Sequence, residues 1–151
     1  MSLQYIGNEK AAIGYDAATG ERGFLLKMKN KTGGNTVKGQ VVSASGTVDN
    51  SFILQANEFD SFGIVQEGGI ADGSDAWVWI NGSVAQVLFK DSTAAVRGYV
   101  ALAADTDGRA TNVEVPSSNP VVAEHFKEIG HVLESKEGGT DVLVLCHLHF
   151  N

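Results

Sequence analysis

Potential metal ligands are concentrated near the C-terminal end of the sequence. The stretches EHFKEIGHVLES and CHLHF contain, in order, His125, Glu128, His131, Cys146, His147 and His149. Imidazole, thiolate and carboxylate groups are the ligands that Zn²⁺ takes in proteins. The first question about this chain is therefore whether these residues can reach one metal ion.

The spacing of these residues argues against a metal site. On a helix, positions 125 and 131 lie about 120° apart around the axis and roughly 9 Å apart along it, a poorer pair than two histidines four residues apart. In the last strand, alternation places Cys146 on the opposite face from His147 and His149. We therefore predict no metal and no cofactor, with His125 and His131 structural or solvated and Cys146 a small buried hydrophobe. A two-histidine cluster of His147 and His149 near the surface is the alternative.

The composition limits the class of protein. A chain of 151 residues with 43% hydrophobic content can bury one core, which predicts a single domain. The formal charge of -7 opposes nonspecific attraction to nucleic acid and to anionic membranes. One cysteine excludes an intrachain disulfide, and no apolar run approaches the roughly 20 residues that span a bilayer. Since the first residues lack the pattern of a signal peptide, we expect synthesis in the cytoplasm.

Glycines between short apolar runs predict an all-β (mainly β) protein of short strands and tight turns. The clearest signal is WVWINGSVAQVLF, in which Asn81-Gly82 predicts a hairpin that pairs Trp79 with Val84. Alternation then places Trp77 and Trp79 on a half-exposed face. The opposite face, which should point into the core, consists of Ala76, Val78, Ile80, Ala85, Val87 and Phe89.

The remaining segments complete a single-domain β-barrel or sandwich with one short helix near residues 119–129. Further strands are predicted at GFLLKMK, GQVVSAS, SFILQAN, RGYVALAA, ATNVEV and DVLVLCHLHF. The helix begins after a cap at Ser118 or Asn119, has Pro120 in its first turn and ends before Gly130. Its predicted apolar stripe consists of Val122, Phe126 and Ile129.

Two distant stretches are similar to each other. FDSFGIVQEGG followed by SDAWVWI parallels FKEIGHVLESKEGG followed by TDVLVLC. The matched pairs in the first segments are Phe59 with Phe126, Phe62 with Ile129, Gly63 with Gly130, Val65 with Val132 and Glu67 with Glu134. This similarity predicts two copies of one hairpin unit and a fold with pseudo-twofold character, chance similarity being the alternative.

Catalytic signatures are missing from the sequence. It contains no Gly-x-Ser-x-Gly elbow, no phosphate-binding Gly-x4-Gly-Lys-Ser/Thr loop and no Gly-x-Gly-x-x-Gly. We therefore predict that the chain is not an enzyme and has no catalytic residues.

The order of several segments resembles small structural proteins of tailed bacteriophages. These segments are KNKTGGNTVKGQVV, FGIVQEGGIADGSDAWVWINGSV, VRGYVALAADTDGRATNV and HFKEIGHVLESKEGGTDVLVLCHLHFN, within about residues 24 to 151. In particular, the chain resembles capsid decoration, or cement, proteins. The resemblance implies an all-β domain that binds the major capsid protein on the outside of an assembled virion capsid as a homotrimer and strengthens the shell. The alternatives are a head-fibre or tail-associated adhesion module, and a small-ligand-binding β-barrel with the Trp pair at its mouth.

Five residues are candidates for partner binding. Trp77 and Trp79 are predicted at a subunit or capsid contact because tryptophan is enriched at interface hot spots, the alternative being that both fill the core. Residues 1–20 have few apolar anchors and predict a flexible N-terminal arm ahead of a β domain at 21–151. In the proteins that the chain resembles, such an arm often reaches a neighbouring subunit or the shell, which implies Tyr5, Ile6 and Tyr15 as its anchors. The alternative is an edge strand already paired in the isolated domain.

Overall fold

The computed structural model describes residues 3–56, 60–114 and 122–151, and they form a single-domain, mostly β fold, as predicted. The strands are β1 (Leu3–Gly7), β2 (Ala11–Asp16), β3 (Arg22–Asn30), β4 (Val41–Ala44), β5 (Ser51–Leu54), β6 (Ser61–Val65), β7 (Asp75–Trp79), β8 (Val84–Leu88), β9 (Val100–Ala103), β10 (Ala110–Val113), β11 (Glu128–Val132) and β12 (Leu143–Leu148). One helix, α1 (Val122–Lys127), runs directly into β11.

Five strands close into a small barrel, here called the first barrel. Its order is β3, β5, β4, β6 and β7, and β7 pairs back onto β3 from Leu25 to Lys29. All contacts are antiparallel except the short parallel one in which Lys29 and Asn30 of β3 lie beside Ser51 and Phe52 of β5. Closure leaves no free edge in this ring of strands.

A second ring of five strands, here called the second barrel, repeats this arrangement. Its order is β8, β12, β11, β9 and β10, and all of these contacts are antiparallel. It is closed by a parallel bridge between Phe89 and Ala110, where Lys90 N donates to Ala110 O at 2.8 Å. The parallel closing contact therefore occurs at the corresponding place in both barrels.

The register of the strands confirms the internal repeat. In the first barrel, β6 shifts its register against β4 between Ser61 and Gly63. In the second barrel, β11 shifts its register against β9 between Glu128 and Gly130. Each half thus carries a β-bulge at the same repeat position. The predicted match of SDAWVWI with TDVLVLC is wrong by two residues, because Val78 opposite Val65 corresponds to Cys146 opposite Val132.

Apolar side chains fill both barrels. In the first, a buried cluster consists of Val42, Phe52, Val65, Ala76 and Val78. In the second, the buried positions include Val87, Phe89, Ala101, Ala110, Ile129, Val132, Val144, Cys146 and Leu148. Where the first barrel places Asn30 beside Phe52, the second places Phe89 beside Ala110, so that the large and small positions are exchanged. Asn30 Nδ2 donates to Gly34 O at 2.8 Å and to Ile70 O at 2.9 Å, which satisfies its buried amide.

The Asn81-Gly82 turn is present, but the predicted hairpin is wrong. Ser83 N donates to Ile80 O, and only Gly82 of the two central residues has positive φ. A turn of this kind splays its flanking strands, whereas the predicted hairpin requires positive φ at both residues. Consequently β7 pairs with β3 and β6, and β8 pairs with β12. The turn connects the two barrels, and the core face predicted for this segment is divided between them.

The N-terminal segment is paired into the sheet. β1 and β2 form a hairpin, and β2 pairs with β3 from Ala11 opposite Leu26 to Tyr15 opposite Arg22. Its inner face places Leu3 and Ala12 in the same buried cluster as Trp79. In place of the predicted flexible arm, residues 3–16 therefore form the alternative, an edge hairpin of the domain.

The helix ends two residues earlier than predicted. It spans Val122–Lys127, and Ile129 and Gly130 belong to β11. The predicted apolar stripe is wrong, because Val122 and Phe126 are exposed while Ile129 is buried from a strand. The predicted cap at Ser118 or Asn119 and Pro120 lie outside the described residues.

We predict that both bulge glycines are required for stability. A Cβ at Gly63 would lie 2.3 Å from Val78 Cγ1, and one at Gly130 would clash with His147 O, so that either strand would have to move. Gly63→Ala and Gly130→Ala should each lower the free energy of unfolding by about 1–3 kcal/mol, as overpacked core positions do. Urea denaturation measures the loss. The control is Gly46→Ala, where a Cβ would meet open space, and equal losses in all three variants would contradict the prediction.

Candidate functional site

Three potential metal ligands converge on the outside of the second barrel. Glu128 and His131 lie in β11, and His149 follows the end of β12. In a regular strand, residues three apart point to opposite faces. The bulge at Ile129 adds one residue, so Glu128 and His131 lie opposite Leu102 and Val100, which share a face of β9. The backbone bond from His149 N to Ile129 O then holds His149 beside them.

The ligand atoms of this group, here called the His-Glu cluster, are close to one another. His149 Nε2 lies 2.8 Å from His131 Nδ1 and 3.0 Å from Glu128 Oε1. All three side chains are partly buried, and their ligand atoms lie within 4.8 Å of one another. Asn151 Nδ2 donates to Glu128 Oε2 at 3.0 Å, and His125 Nδ1 lies 3.7 Å from the same oxygen.

The environment of His149 favours its neutral form. Burial lowers the pKa of His149 below its usual value, Glu128 opposes this shift, and the nearby histidines add to it. A neutral imidazole has a free nitrogen lone pair for a metal or a proton.

The outcome for the ligands named from the sequence is mixed. Cys146 is buried inside the barrel, away from the histidines, as alternation predicted. His147 is exposed, and its ring centre lies 6.3 Å from that of His149. The closer partner of His149 is His131, at 4.7 Å between ring centres. The predicted separation of the ligands is therefore wrong for Glu128, His131 and His149.

A second candidate site is an apolar surface on the N-terminal hairpin. Ile6 of β1 lies opposite Ile13 of β2, which lies opposite Phe24 of β3. These three side chains share the outer face of adjacent strands and are 85%, 59% and 49% exposed. Tyr15, also exposed, is on the same face. We call Ile6, Ile13 and Phe24 the outer stripe. It extends to the edge strand β1, which pairs only with β2 among the described residues.

The two tryptophans differ in their surroundings. Trp79 is fully buried, and a Cβ added at Gly14 of the hairpin would lie 3.2 Å from its ring. This location corrects the prediction of a partner contact for Trp79 in favour of the core alternative. Trp77 is half-buried, with Tyr5 at 5.6 Å between ring centres and Lys27 Nζ 5.2 Å from its ring centre. Trp77 thus lies beside Tyr5 of the hairpin, and the role of both in partner binding stays a prediction.

The buried carboxylate of Glu21 forms hydrogen bonds with other groups of this chain. Glu21 is fully buried, and its Oε1 accepts from Lys38 Nζ at 2.6 Å and Thr19 Oγ1 at 3.0 Å. Its Oε2 accepts from Gln86 N at 3.1 Å. Because both oxygens are occupied and the charge is paired, we assign Glu21 a structural role in joining the two barrels.

A surface groove of about 400 Å³ lies beside the β1–β2 turn. Its lining is polar and of mixed charge, and consists of Glu9, Lys10, Lys27, Lys29, Asp49, Asn50 and Asp75. An apolar, enclosed cavity is what a small-molecule site usually requires. This groove does not meet that description.

No protein-family model matches the chain, and no curated protein matches it significantly in sequence. Among the described residues, no helix has the length and apolarity of a membrane span.

We expect Lys38→Met to destabilise the protein strongly. The substitution keeps an unbranched side chain, one atom shorter, and leaves the Glu21 carboxylate buried without its cation. Removing one partner of a buried pair costs about 3–5 kcal/mol of folding free energy. Chemical denaturation provides the measurement, and Glu21→Gln combined with Lys38→Met is the control, since it should recover much of the loss. A single variant as stable as the wild type would sink the prediction.

Cys146 should be unreactive in the folded protein. Burial raises the pKa of its thiol well above the ordinary value, so the nucleophilic thiolate is scarce as well as inaccessible. A chromogenic disulfide reagent should modify Cys146 slowly in buffer and rapidly in urea. Equal rates under both conditions would show that the side chain is open to solvent.

Proposed function

We propose that this protein is a non-enzymatic bacteriophage virion component that binds the outside of the capsid and stabilises the shell. The observation that carries the proposal is the outer stripe of Ile6, Ile13 and Phe24, in register across three strands and exposed. A contiguous exposed apolar patch is typical of an interaction surface. The resemblance of the sequence to capsid decoration proteins supplies the class of partner, the major capsid protein.

The outer stripe is a suitable contact for a large flat partner. It lies on a sheet face rather than in a concavity, and Tyr15 adds an aromatic ring with a polar end. Aromatic side chains are enriched at interfaces because they combine large apolar area with a hydrogen-bonding group. Tyr5, on the inner face of the hairpin, and Trp77 beside it are a second candidate contact.

The filled interiors of both barrels favour this proposal over a small-ligand-binding barrel. Eight strands enclose a space just wide enough for side chains to fill, and five strands enclose less. Phe52 in one barrel and Phe89 in the other are fully buried. A ligand would therefore have to displace core side chains.

The proposal includes a homotrimer on the capsid exterior, as the resemblance implies, and no role for nucleic acid or membrane. The charge of -7 supports the last point, because phosphate groups repel an acidic protein. A head-fibre or tail-associated adhesion module is the alternative, and it differs in the partner particle.

The proposal is tested by co-expression with the major capsid protein encoded nearest to this gene, followed by gradient sedimentation of assembled shells. Copurification with the shells at a fixed stoichiometry, and greater resistance of decorated shells to heat, is the expected result. Association with fibres or tails but not with shells would favour the alternative. Light scattering of the free protein tests the trimer.

Ile13→Ser should weaken shell binding without unfolding the protein. Ile13 is 59% exposed in the free chain, so the loss appears when that exposed part is buried against the partner, at about 1–2 kcal/mol. This corresponds to a dissociation constant about 5 to 30 times higher. Ile53→Ser is the matched control, as Ile53 is an exposed isoleucine on the first barrel outside the stripe. Equal binding by Ile13→Ser and Ile53→Ser would remove the outer stripe from the interface.

A further inference from the structure

Hydrogen bonding in the His-Glu cluster is limited by the single hydrogen that His149 Nε2 can carry. A neutral or protonated His149 carries at most one hydrogen on Nε2, yet this atom faces both His131 Nδ1 at 2.8 Å and Glu128 Oε1 at 3.0 Å. With the hydrogen on Nε2, one proton is shared between two acceptors. Without it, the lone pairs of Nε2 and Oε1 face each other. A cation at the point of convergence would interact favourably with all three atoms.

The size of the cluster suits a transition-metal ion. In a tetrahedral Zn²⁺ site with bonds of about 2.0–2.1 Å, ligand atoms are about 3.3 Å apart. The two short distances in the cluster are 2.8 and 3.0 Å, and no ligand atom is more than 4.8 Å from another. Small rotations of the side chains therefore bring all three to bonding distance.

The cluster is held in place by groups outside it. The bulge at Ile129 sets Glu128 on the face of His131, and Asn151 Nδ2 orients the Glu128 carboxylate. His149 is fixed through its backbone bond to Ile129 O. Outer contacts of this kind orient ligands in metal sites and raise affinity.

The fold itself does not require these residue types. In the first barrel, the positions that correspond to Glu128 and His131 are Ser61, opposite Ser43, and Ile64, opposite Val41. That barrel closes with the same strand order and the same bulge. The histidine and the glutamate in the second barrel are thus additions to a common framework.

We propose that Glu128 Oε1, His131 Nδ1 and His149 Nε2 bind a divalent transition-metal ion of the zinc class. Two imidazoles and one carboxylate suit such ions, and water or a partner's side chain completes the fourth position. The ion ties the C-terminal residues to the start of β11 on the surface of the second barrel. The proposal departs from the sequence-based expectation of no metal, which rests on spacing along the chain and does not include the bulge. It is independent of the proposed capsid function.

The test is calorimetric titration of Zn²⁺ into the full chain, freed of any histidine tag and treated with chelator. Saturable binding of one ion per chain is expected. His131→Ala, His149→Ala and Glu128→Gln should each weaken it by more than about 100-fold, the upper end of the effect of losing an outer contact. His147→Ala is the control and should bind as the wild type does.

Nitrogen chemical shifts of the histidine side chains provide a test that needs no variant. On addition of Zn²⁺, the resonances of His131 Nδ1 and His149 Nε2 should move to the metal-bound range while those of His147 stay unchanged. Absence of saturable binding, or binding that survives His131→Ala and His149→Ala, would overturn the proposal. Shifts confined to His125 or His147 would do the same.

Discussion

Closure of two rings of five strands is the constraint on which the rest of the structure depends. Each ring is completed by one short parallel contact, Asn30 beside Phe52 in the first barrel and Phe89 beside Ala110 in the second. Closed rings protect strand edges, but five strands leave space only for side chains. The two residues at each closing contact must therefore share a fixed volume, and in both barrels a phenylalanine lies beside a smaller residue.

The bulge in each half connects this constraint to the candidate metal site. It bends β6 and β11 around their barrels and brings Gly63 and Gly130 so near the next strand that a Cβ would clash. In the second half, the same extra residue turns Glu128 toward His131. One local irregularity thus serves both closure of the barrel and the geometry of the His-Glu cluster.

The two barrels differ most in what covers their outer faces. On the first barrel, the N-terminal hairpin covers Trp79, and Ile64 beside it is also fully buried. The corresponding positions of the second barrel are His147 and His131, which are more exposed. Covering the first barrel turns the other side of the hairpin, with Ile6 and Ile13, toward solvent. The outer stripe and the histidine-bearing surface are therefore two consequences of adding a hairpin to one half of a repeat.

The sequence by itself determined the elements whose signals are local. Glycine-separated β-branched runs predicted the strands, alternation placed Val78 and Val87 in cores and Cys146 away from the histidines, and the Gly-x-Val similarity indicated the repeat. These patterns persist because the faces of a strand depend only on its own period of two residues.

Only the tertiary structure decided which strands are neighbours. The Asn81-Gly82 turn separates β7 from β8 instead of pairing them, since positive φ at Gly82 alone, the second central residue, gives the wrong twist for a hairpin. The hairpin of residues 3–16 is ordered by packing over Trp79, which its own few apolar residues did not predict. Likewise, His149 meets Glu128 and His131 through pairing of β11 with β12 and through a bulge. Spacing along the chain does not contain such contacts, because they join residues whose separation is set by closure of the barrel.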